Sequence, residues 1–576
     1  MTGAEALVRM LLEYQVEFVF GVPGDTSLPL YEALYDVTPR IRHIMARDER
    51  SASFMADAYA RISHKPGICE CPSGAGALYS IPGVAEANAS SIPVILFTSD
   101  ISLAYEGKGT ITELDCQKLF EPITKWSGTI KQTEKIPETL RRAFRIATTG
   151  RPGAVHLAFP QETFTGELHS ERQNIFVEPE CAVYPAYRTR GGRDVLQELM
   201  KYLLQAKRPV IVVGGGANHS QAAQEVITLS EWMAAPVVTT ISGQGIMPDD
   251  HPLALGVVGD NGFHPYANRA VEESDLLLYV GCKMGSVSTI HWTLPSYCPD
   301  RRIIQIDLDP KQLSNNFPNT LSVAGDSKLV LQDLVLLLKR EGDARSPSLW
   351  VEGLNDERSC FWQDSEAMFH SESIPIKPQR IINALNRRLP FPSIVIADAG
   401  TPTPYITRFL KMQGSGSRFI IPRSYGGLGY AIPAVVGAFL AHPRARVIGL
   451  FGDGSLGMST GELETLARLE VPAVLIHFNN GCFGWIKALQ ALYSKNKFLS
   501  VDFTSGNMAQ VAQSFGLRAF HIENPEELEE GLDEAFASRE PVFLDVVTES
   551  LLTELPPVYS WEKAAEKKTK LTMNSL

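Results

Sequence analysis

Residues 452–480 read GDGSLGMSTGELETLARLEVPAVLIHFNN, an acidic residue between glycines at one end and two asparagines at the other. The run before it, Arg446-Val-Ile-Gly-Leu-Phe451, is short and apolar and predicts a buried strand. From about Ser459 the spacing of Leu463, Leu466 and Leu469 predicts a helix with one apolar face. Pro472 stops that helix, and Ala473 to Phe478 is a second apolar run of strand length. A strand–helix–strand unit implies two parallel strands side by side. Asp453 and Asn480 then stand just past the carboxyl ends of neighbouring strands, where open α/β sheets bind ligands.

Taken alone, Gly-Asp-Gly and Asn-Asn-Gly are turn signals. Their joint placement favours another reading. A carboxylate, a side-chain amide and nearby backbone carbonyls make an all-oxygen set that suits Mg²⁺ or Ca²⁺. Gly452 and Gly454 let a diphosphate approach the backbone, near a helix start that favours anions. The stretch predicts half of a metal–diphosphate clamp.

The whole chain bounds what surrounds that clamp. Its 576 residues suffice for about three or four domains. A net charge of −12 argues against nucleic acid as a partner. No apolar run reaches membrane-spanning length, so no membrane partner is expected. Glu5 and Arg9 fall where a secretory leader needs an apolar core. Eight scattered cysteines make neither a disulfide framework nor a zinc pattern, which fits a reducing cytoplasm. Cys69-Glu-Cys71 reads as a strand with alternating faces.

Alternating apolar runs and amphipathic stretches predict an α/β protein of three doubly wound parallel-sheet domains. The first spans residues 1–165, with strands such as Phe18-Val-Phe20, Val94-Ile-Leu-Phe97 and Val155-His-Leu157. Residues 166–190 read as a linker. The central domain spans 190–340 and includes Val210-Ile-Val-Val213 and Leu276-Leu-Leu-Tyr-Val280, followed by a charged linker, Arg340 to Ser348. The third spans 375–548, and 549–576 is a tail with a mobile, charged end.

Gly-Asp-Gly followed by Asn-Asn at this separation resembles the signature of thiamine-diphosphate-dependent enzymes. The resemblance extends over almost the whole chain and is closest to the acetolactate synthase, pyruvate oxidase and benzoylformate decarboxylase group. Phe20-Gly-Val-Pro-Gly24, Ala56-Asp-Ala-Tyr-Ala-Arg61, Gly150-Arg-Pro-Gly153, Arg208 to Gly216 and Gly426-Gly-Leu-Gly429 carry it, in order along the chain. It implies pyrimidine-binding, central and diphosphate-binding domains.

The resemblance also assigns residues. Glu49, which on local sequence alone is one more charge in Arg47-Asp-Glu-Arg50, matches the glutamate that hydrogen-bonds the cofactor's aminopyrimidine and so promotes loss of the thiazolium C2 proton. Asp48 stands where relatives often carry His. Leu428 matches the aliphatic wedge beneath the folded cofactor. Gly400, Thr401 and Gly426 match cofactor contacts, with Ser455 a diphosphate donor. Asp453, Asn480 and the Cys482 carbonyl match the Mg²⁺ ligands. A homodimer or homotetramer follows, with cofactor at the subunit interface.

Departures fall in the substrate region. Ile111-Thr112 replaces a Phe-Gln pair before Glu113-Leu-Asp115, and Trp485 and Leu489 replace a Met and a Trp that shape the acceptor site. Lys125 matches a lysine at the substrate channel, or is a surface charge. In the central domain Gly214-Gly-Gly216 lacks the third glycine of the dinucleotide fingerprint. Ser242-Gly-Gln-Gly245, Asp307-Leu-Asp-Pro310 and Gly325-Asp326 resemble FAD-contacting loops, whereas Gly281-Cys-Lys-Met-Gly285 has lost their Arg-Phe-Asp-Asp pattern, so FAD is an open expectation. The resemblance implies decarboxylation of a 2-keto acid such as pyruvate, with transfer of the acyl carbanion equivalent to a carbonyl acceptor. The alternatives are simple decarboxylation to an aldehyde, and a non-catalytic binding homologue.

Overall fold

The structure is a computed structural model that describes residues 1–168, 175–414, 418–504 and 506–573. It holds three six-stranded parallel sheets. The first contains β1 (Phe18–Gly21), β2 (Arg42–Met45), β3 (Gly67–Pro72), β4 (Val94–Asp100), β5 (Trp126–Thr129) and β6 (Val155–Pro160), in the order 2-1-3-4-6-5. The central sheet contains β7 (Pro209–Val213), β8 (Val237–Thr239), β9 (Ala254–Val257), β10 (Leu276–Val280), β11 (Arg302–Asp307) and β12 (Leu321–Ala324), in the order 12-11-10-7-8-9. The third contains β13 (Ser393–Ala397), β14 (Arg418–Ile420), β15 (Arg446–Gly452), β16 (Ala473–Asn479), β17 (Arg518–Ile522) and β18 (Val542–Val547). Its order, 14-13-15-16-18-17, repeats that of the first sheet, a duplication not apparent in the sequence.

The chain divides into two compact units. One comprises Met1–Tyr187 with Pro422–Arg444 and Gly457–Val471. The other comprises Arg188–Ile421 with Ala445–Leu456 and Pro472–Leu576. In the first unit, helix Glu49–Ser63 packs against helix Ala431–Ala441 so closely that a Cβ on Gly437 would lie 2.1 Å from the Met55 carbonyl oxygen. In the second unit, Ile448, Leu450, Val474, Ile476 and Phe478 of β15 and β16 are fully buried. Strands buried on both faces read as unbroken apolar runs, which is why these were legible.

The structure departs from the sequence-based expectations at several places. The helix after β15 begins at Asp453, six residues before the expected Ser459, and pauses before resuming at Glu462–Arg468. Gly454 and Gly457, poor helix formers, hid that first turn. Leu463 and Leu466 are buried, but Leu469 is only half-buried. The expected linker packs on the first unit: Tyr184 is buried, its hydroxyl donates to the Ala60 carbonyl at 3.0 Å, and Ala186 N–H donates to Thr148 O at 2.9 Å. Residues 169–174 of that stretch lie outside the described residues. The sequence reading also passed over helix Leu349–Phe369, whose many charges mask its buried Val351, Leu354 and Phe369. The tail forms helix Tyr559–Met573, anchored by buried Trp561, and residues 574–576 lie outside the described ones.

The glycines of two helices give a matched test. Gly437→Ala should destabilise the protein by about 1–3 kcal/mol through overpacking against Met55. Gly353→Ala, on an exposed helical site with open space around it, should stabilise by about 0.5–1 kcal/mol. Urea unfolding of both variants checks the pair, and equal effects would contradict the close helix contact.

Candidate active site

Asp453, Asn480, Cys482, Gly400 and Thr401 belong to the second unit, and Glu49, Gly426 and Leu428 to the first. In the second unit β15 and β16 pair in parallel with Gly452 opposite Phe478, so Asp453 and Asn480 leave adjacent strands at the same edge. Asn480 N–H donates to Asp453 Oδ2 at 3.1 Å. Asn480 Oδ1 faces Asp453 Oδ2 and the Cys482 carbonyl oxygen, each 3.2 Å away. Turning the amide over would let its nitrogen donate to both. A cation among the three oxygens satisfies the same geometry with the oxygen kept inward, and such a donor set suits a hard divalent ion. Among the described residues no three His, Cys, Asp or Glu side chains could share a metal, so a cation here depends on amide and carbonyl oxygens.

The loop after Asn480 is pinned by Phe483 N–H to Val501 O at 2.7 Å and Phe503 N–H to Gly481 O at 2.8 Å. A Cβ on Gly484 would lie 3.0 Å from both the Asn480 amide nitrogen and Thr401 Oγ1, so its absence keeps that corner open. Gly400 has a φ of +116°, a conformation that requires glycine, and Thr401 follows at the start of helix Pro402–Phe409. Ser455 is buried in the first turn after Asp453. Burial raises the Asp453 carboxyl above its ordinary range, while nearby His477 and the N–H groups of Asn480 and Gly481 pull it down.

In the first unit Glu49 opens its helix, capped by Asp48, whose carboxylate accepts from Ser51 N–H at 2.7 Å. The Asp48 that departs from the resembled pattern is therefore an N-cap. Glu49 is only 8% exposed, and a Cβ on Gly76 would lie 2.9 Å from its Oε1. Burial is the chief cause that raises its carboxyl; its own backbone N–H opposes this, and Asp48 and Glu70 add to it. Further along the same helix, Asp57 pairs with Arg61 at 2.7 Å and accepts from the Tyr430 hydroxyl at 2.5 Å. Glu86 accepts from Ser424 and Tyr425 N–H at 3.2 and 2.8 Å. These bonds grip both ends of the loop that carries Gly426 and Leu428. Leu428 is half-buried, not a core leucine.

The expected substrate residues fare unequally. Thr112 Oγ1 accepts from Ser73 Oγ at 3.0 Å, on a loop whose Gly109 and Thr110 N–H groups donate to Glu113 at 2.9 and 3.1 Å. Trp485 and Leu489 are half-buried on helix Gly484–Tyr493, with Trp485 4.4 Å from Trp561 between ring centres. Lys125 is occupied elsewhere: its Nζ donates to the carbonyls of Ile146 and Thr149, at the end of helix Ile136–Thr148. It serves as a helix cap, the surface role that the sequence left open.

The central glycines pack on one another. Gly216 N–H donates to Gly281 O at 3.0 Å and Ala217 N–H to Gly214 O at 3.2 Å. Asp326, from a loop resembling FAD contacts, caps helix Ser327–Glu341 instead. Those two N–H groups are spent within the chain.

Residues 1–119 match the family described as "Thiamine pyrophosphate enzyme, N-terminal TPP binding domain", 196–334 its central domain and 398–546 its C-terminal TPP binding domain. The chain is 36% identical to a "Probable acetolactate synthase large subunit" of Methanocaldococcus jannaschii, over 97% of this chain and 94% of that protein. The chain belongs to the thiamine pyrophosphate enzyme family. Other members it resembles are the "Acetolactate synthase large subunit" of Haemophilus influenzae, at 32% over 95% and 94%, and the "Acetolactate synthase isozyme 3 large subunit" of Escherichia coli, at 31% over 95% of each. Among the described residues no helix is long and apolar enough to cross a membrane.

Three buried polar residues near this thiamine pyrophosphate enzyme's site escaped the sequence reading. Glu70 in β3 accepts from Ser27 Oγ at 3.2 Å and from Tyr31. His477 in β16 and Asp545 in β18 are fully buried and lie 2.8 Å apart. Each is a titratable residue within an apolar strand, and that interruption was the available signal.

The raised Glu49 carboxyl has a sign. The native state holds its proton more tightly than the unfolded chain, so Glu49 costs stability once pH exceeds its unfolded value, about 4.3. Cofactor-free Glu49→Gln should therefore unfold at a higher temperature than the parent near neutral pH, with the gap closing as pH falls below that value. Thermal unfolding against pH checks this, and a gap independent of pH would contradict it.

Proposed function

We propose that this chain decarboxylates a 2-keto acid, with pyruvate as donor, and joins the remaining acyl fragment to the carbonyl carbon of an acceptor. The carbon–carboxylate bond breaks, CO₂ leaves, a new carbon–carbon bond forms, and a proton goes to the acceptor oxygen. With pyruvate in both roles the product is acetolactate. The convergence of Asp453 Oδ2, Asn480 Oδ1 and the Cys482 carbonyl carries this reading, together with near-full-length similarity to acetolactate synthase large subunits.

Thiamine diphosphate, when bound, supplies the carbanion chemistry that such a decarboxylation needs. In this proposal the three oxygens hold Mg²⁺ against its diphosphate. Gly452, Gly454 and Ser455, at the start of helix Asp453–Ser459, approach the diphosphate, with Gly400, Thr401 and Gly426 as further contacts. Half-buried Leu428 would lie against the bound cofactor. Glu49 would hold and release a proton at its carboxyl beside the bound cofactor, a task suited to a carboxyl raised above its ordinary range. Thr112, Trp485 and Leu489 border the acceptor.

The proposed assembly is a cytoplasmic homodimer, or a homotetramer, whose copies complete each other's cofactor sites. The proposed reaction transfers no electrons, so an FAD bound in the central domain would serve structure alone.

The test is a mass balance. Purified protein given thiamine diphosphate, Mg²⁺ and pyruvate should release one CO₂ for every two pyruvates consumed and form acetolactate, read by product mass. Added 2-keto acids or aldehydes should give mixed products. Acetaldehyde as the sole product would establish simple decarboxylation, and no pyruvate consumption would favour a non-catalytic homologue.

A further inference from the structure

The segment Gly457–Val471 belongs to the first unit, as does the helix that opens at Glu49, and it contains a buried carboxylate that the proposed chemistry does not use. That carboxylate is Glu462, at the start of helix Glu462–Arg468. Its Oε1 accepts from Arg47 N–H at 2.8 Å, and its Oε2 accepts from the Thr465 hydroxyl at 2.7 Å. Burial is the chief cause that raises its carboxyl; the Thr465 and Arg47 bonds oppose this, and Asp48 adds to it. A carboxylate buried in this way costs stability unless its hydrogen bonds offset the lost water. One of those bonds falls on the turn that presents Glu49.

In that turn β2 ends at Met45 and the helix begins at Glu49. Ala46 N–H still bonds to Gly21 O at 3.0 Å beside the first strand, and the helix opens with Ala52 N–H on Asp48 O at 3.1 Å. Arg47 N–H falls between these two bonds, where neither strand nor helix supplies an acceptor, and Glu462 takes it up. The same segment closes on the turn at three further points. Arg468 Nη2 donates to Met45 O at 2.6 Å, Arg50 Nη2 donates to Met458 O, and a Cβ on Gly461 would lie 3.4 Å from Arg47 Cβ. Fully buried Leu463 and Leu466 seat the helix that carries Glu462.

We propose that Glu462 is a positioning residue for Glu49: by holding Arg47 N–H it fixes the turn out of β2, and with it the buried placement of the Glu49 carboxyl. Glu49 lies two residues beyond Arg47 and is only 8% exposed. With the Arg47 bond gone, the first turn of the helix frays and its leading carboxyl reaches water. A proton-transfer group displaced by about 1 Å loses on the order of 10²-fold in rate. The inference rests on the role proposed above for Glu49, and the experiment separates the two.

Three measurements on the full chain test this. In the cofactor-free protein, hydrogen exchange at the Arg47 amide, read by mass spectrometry with residue-level fragmentation, should be as slow as at Ala46. Glu462→Met, which fills the space without an acceptor, should lose that protection, and Glu462→Gln, which keeps an acceptor oxygen, should retain it. The gain in unfolding temperature from Glu49→Gln near neutral pH should largely vanish in the Glu462→Met background and persist in Glu462→Gln. With thiamine diphosphate and Mg²⁺ bound, exchange of the cofactor's C2 proton should slow by about 10²-fold in Glu462→Met and stay near the parent's rate in Glu462→Gln. An Arg47 amide that exchanges freely in the parent would overturn the inference, whether or not Glu462→Met folds. So would a folded Glu462→Met that keeps the whole gain from Glu49→Gln, or equal losses in Glu462→Met and Glu462→Gln. Parent-like C2 exchange in Glu49→Gln would instead remove the proposed role of Glu49, and the cofactor-free comparison would still decide whether Glu462 sets its burial.

Discussion

The parallel register of β15 and β16 is the constraint on which the candidate site depends. Gly452 lies opposite Phe478, so the chain leaves both strands at one level and presents Asp453 and Asn480 side by side. Ladder bonds and burial of β16 and of the interior of β15 fix that level, because slipping a strand by one residue would turn its whole set of side chains over. The same register decides what each asparagine does. Asn479, the last residue of β16, points into the sheet toward Asp545, whereas Asn480 lies beyond the strand with its amide facing the Asp453 carboxylate and the Cys482 carbonyl.

A second constraint organises the first unit. Helix Glu49–Ser63 carries a carboxyl at its start and the Asp57–Arg61 pair further along. The helix that begins at Ala431 approaches it closely at Gly437, a hydrogen bond from Tyr430 to Asp57 ties one end of the intervening loop to it, and bonds from Ser424 and Tyr425 to Glu86 tie the other end to helix Ala75–Ala89. The motif Ala56-Asp-Ala-Tyr-Ala-Arg61 is thus explained by a loop it holds, with Leu428 at the loop's half-exposed crest. Burying Glu49 beside Asp48 and Glu70 raises its carboxyl, which is the electrostatic condition for a group that must gain and lose a proton.

Most of this was legible because parallel sheets buried on both faces write themselves as short apolar runs, and β15, β16 and the residues just past them were read directly. The helix turn at Asp453 was not legible, since its glycines are unfavourable locally and the turn is held by its surroundings. Lys125 shows the limit of matching residue types: its charge closes a helix end through two carbonyls, a relation set by folding and absent from the spacing. His477 was in plain view within the opening stretch, yet only the pairing of β16 with both β15 and β18 shows that its two nitrogens face two different aspartates. The repeated strand order of the first and third sheets was likewise invisible, because a shared topology needs no shared residues.

The claim at the centre of the account is that Glu49 moves a proton for the cofactor. Exchange of the thiazolium C2 proton for deuterium on bound thiamine diphosphate, stopped with acid and read by NMR, measures that step without requiring turnover. Glu49→Gln keeps the size and reach of the side chain but cannot exchange the proton. The account predicts that this variant still binds thiamine diphosphate and exchanges C2 more slowly by about 10²-fold or more. Exchange at the parent's rate in the Gln variant would contradict it, and would make Glu49 a buried charge with no part in the chemistry.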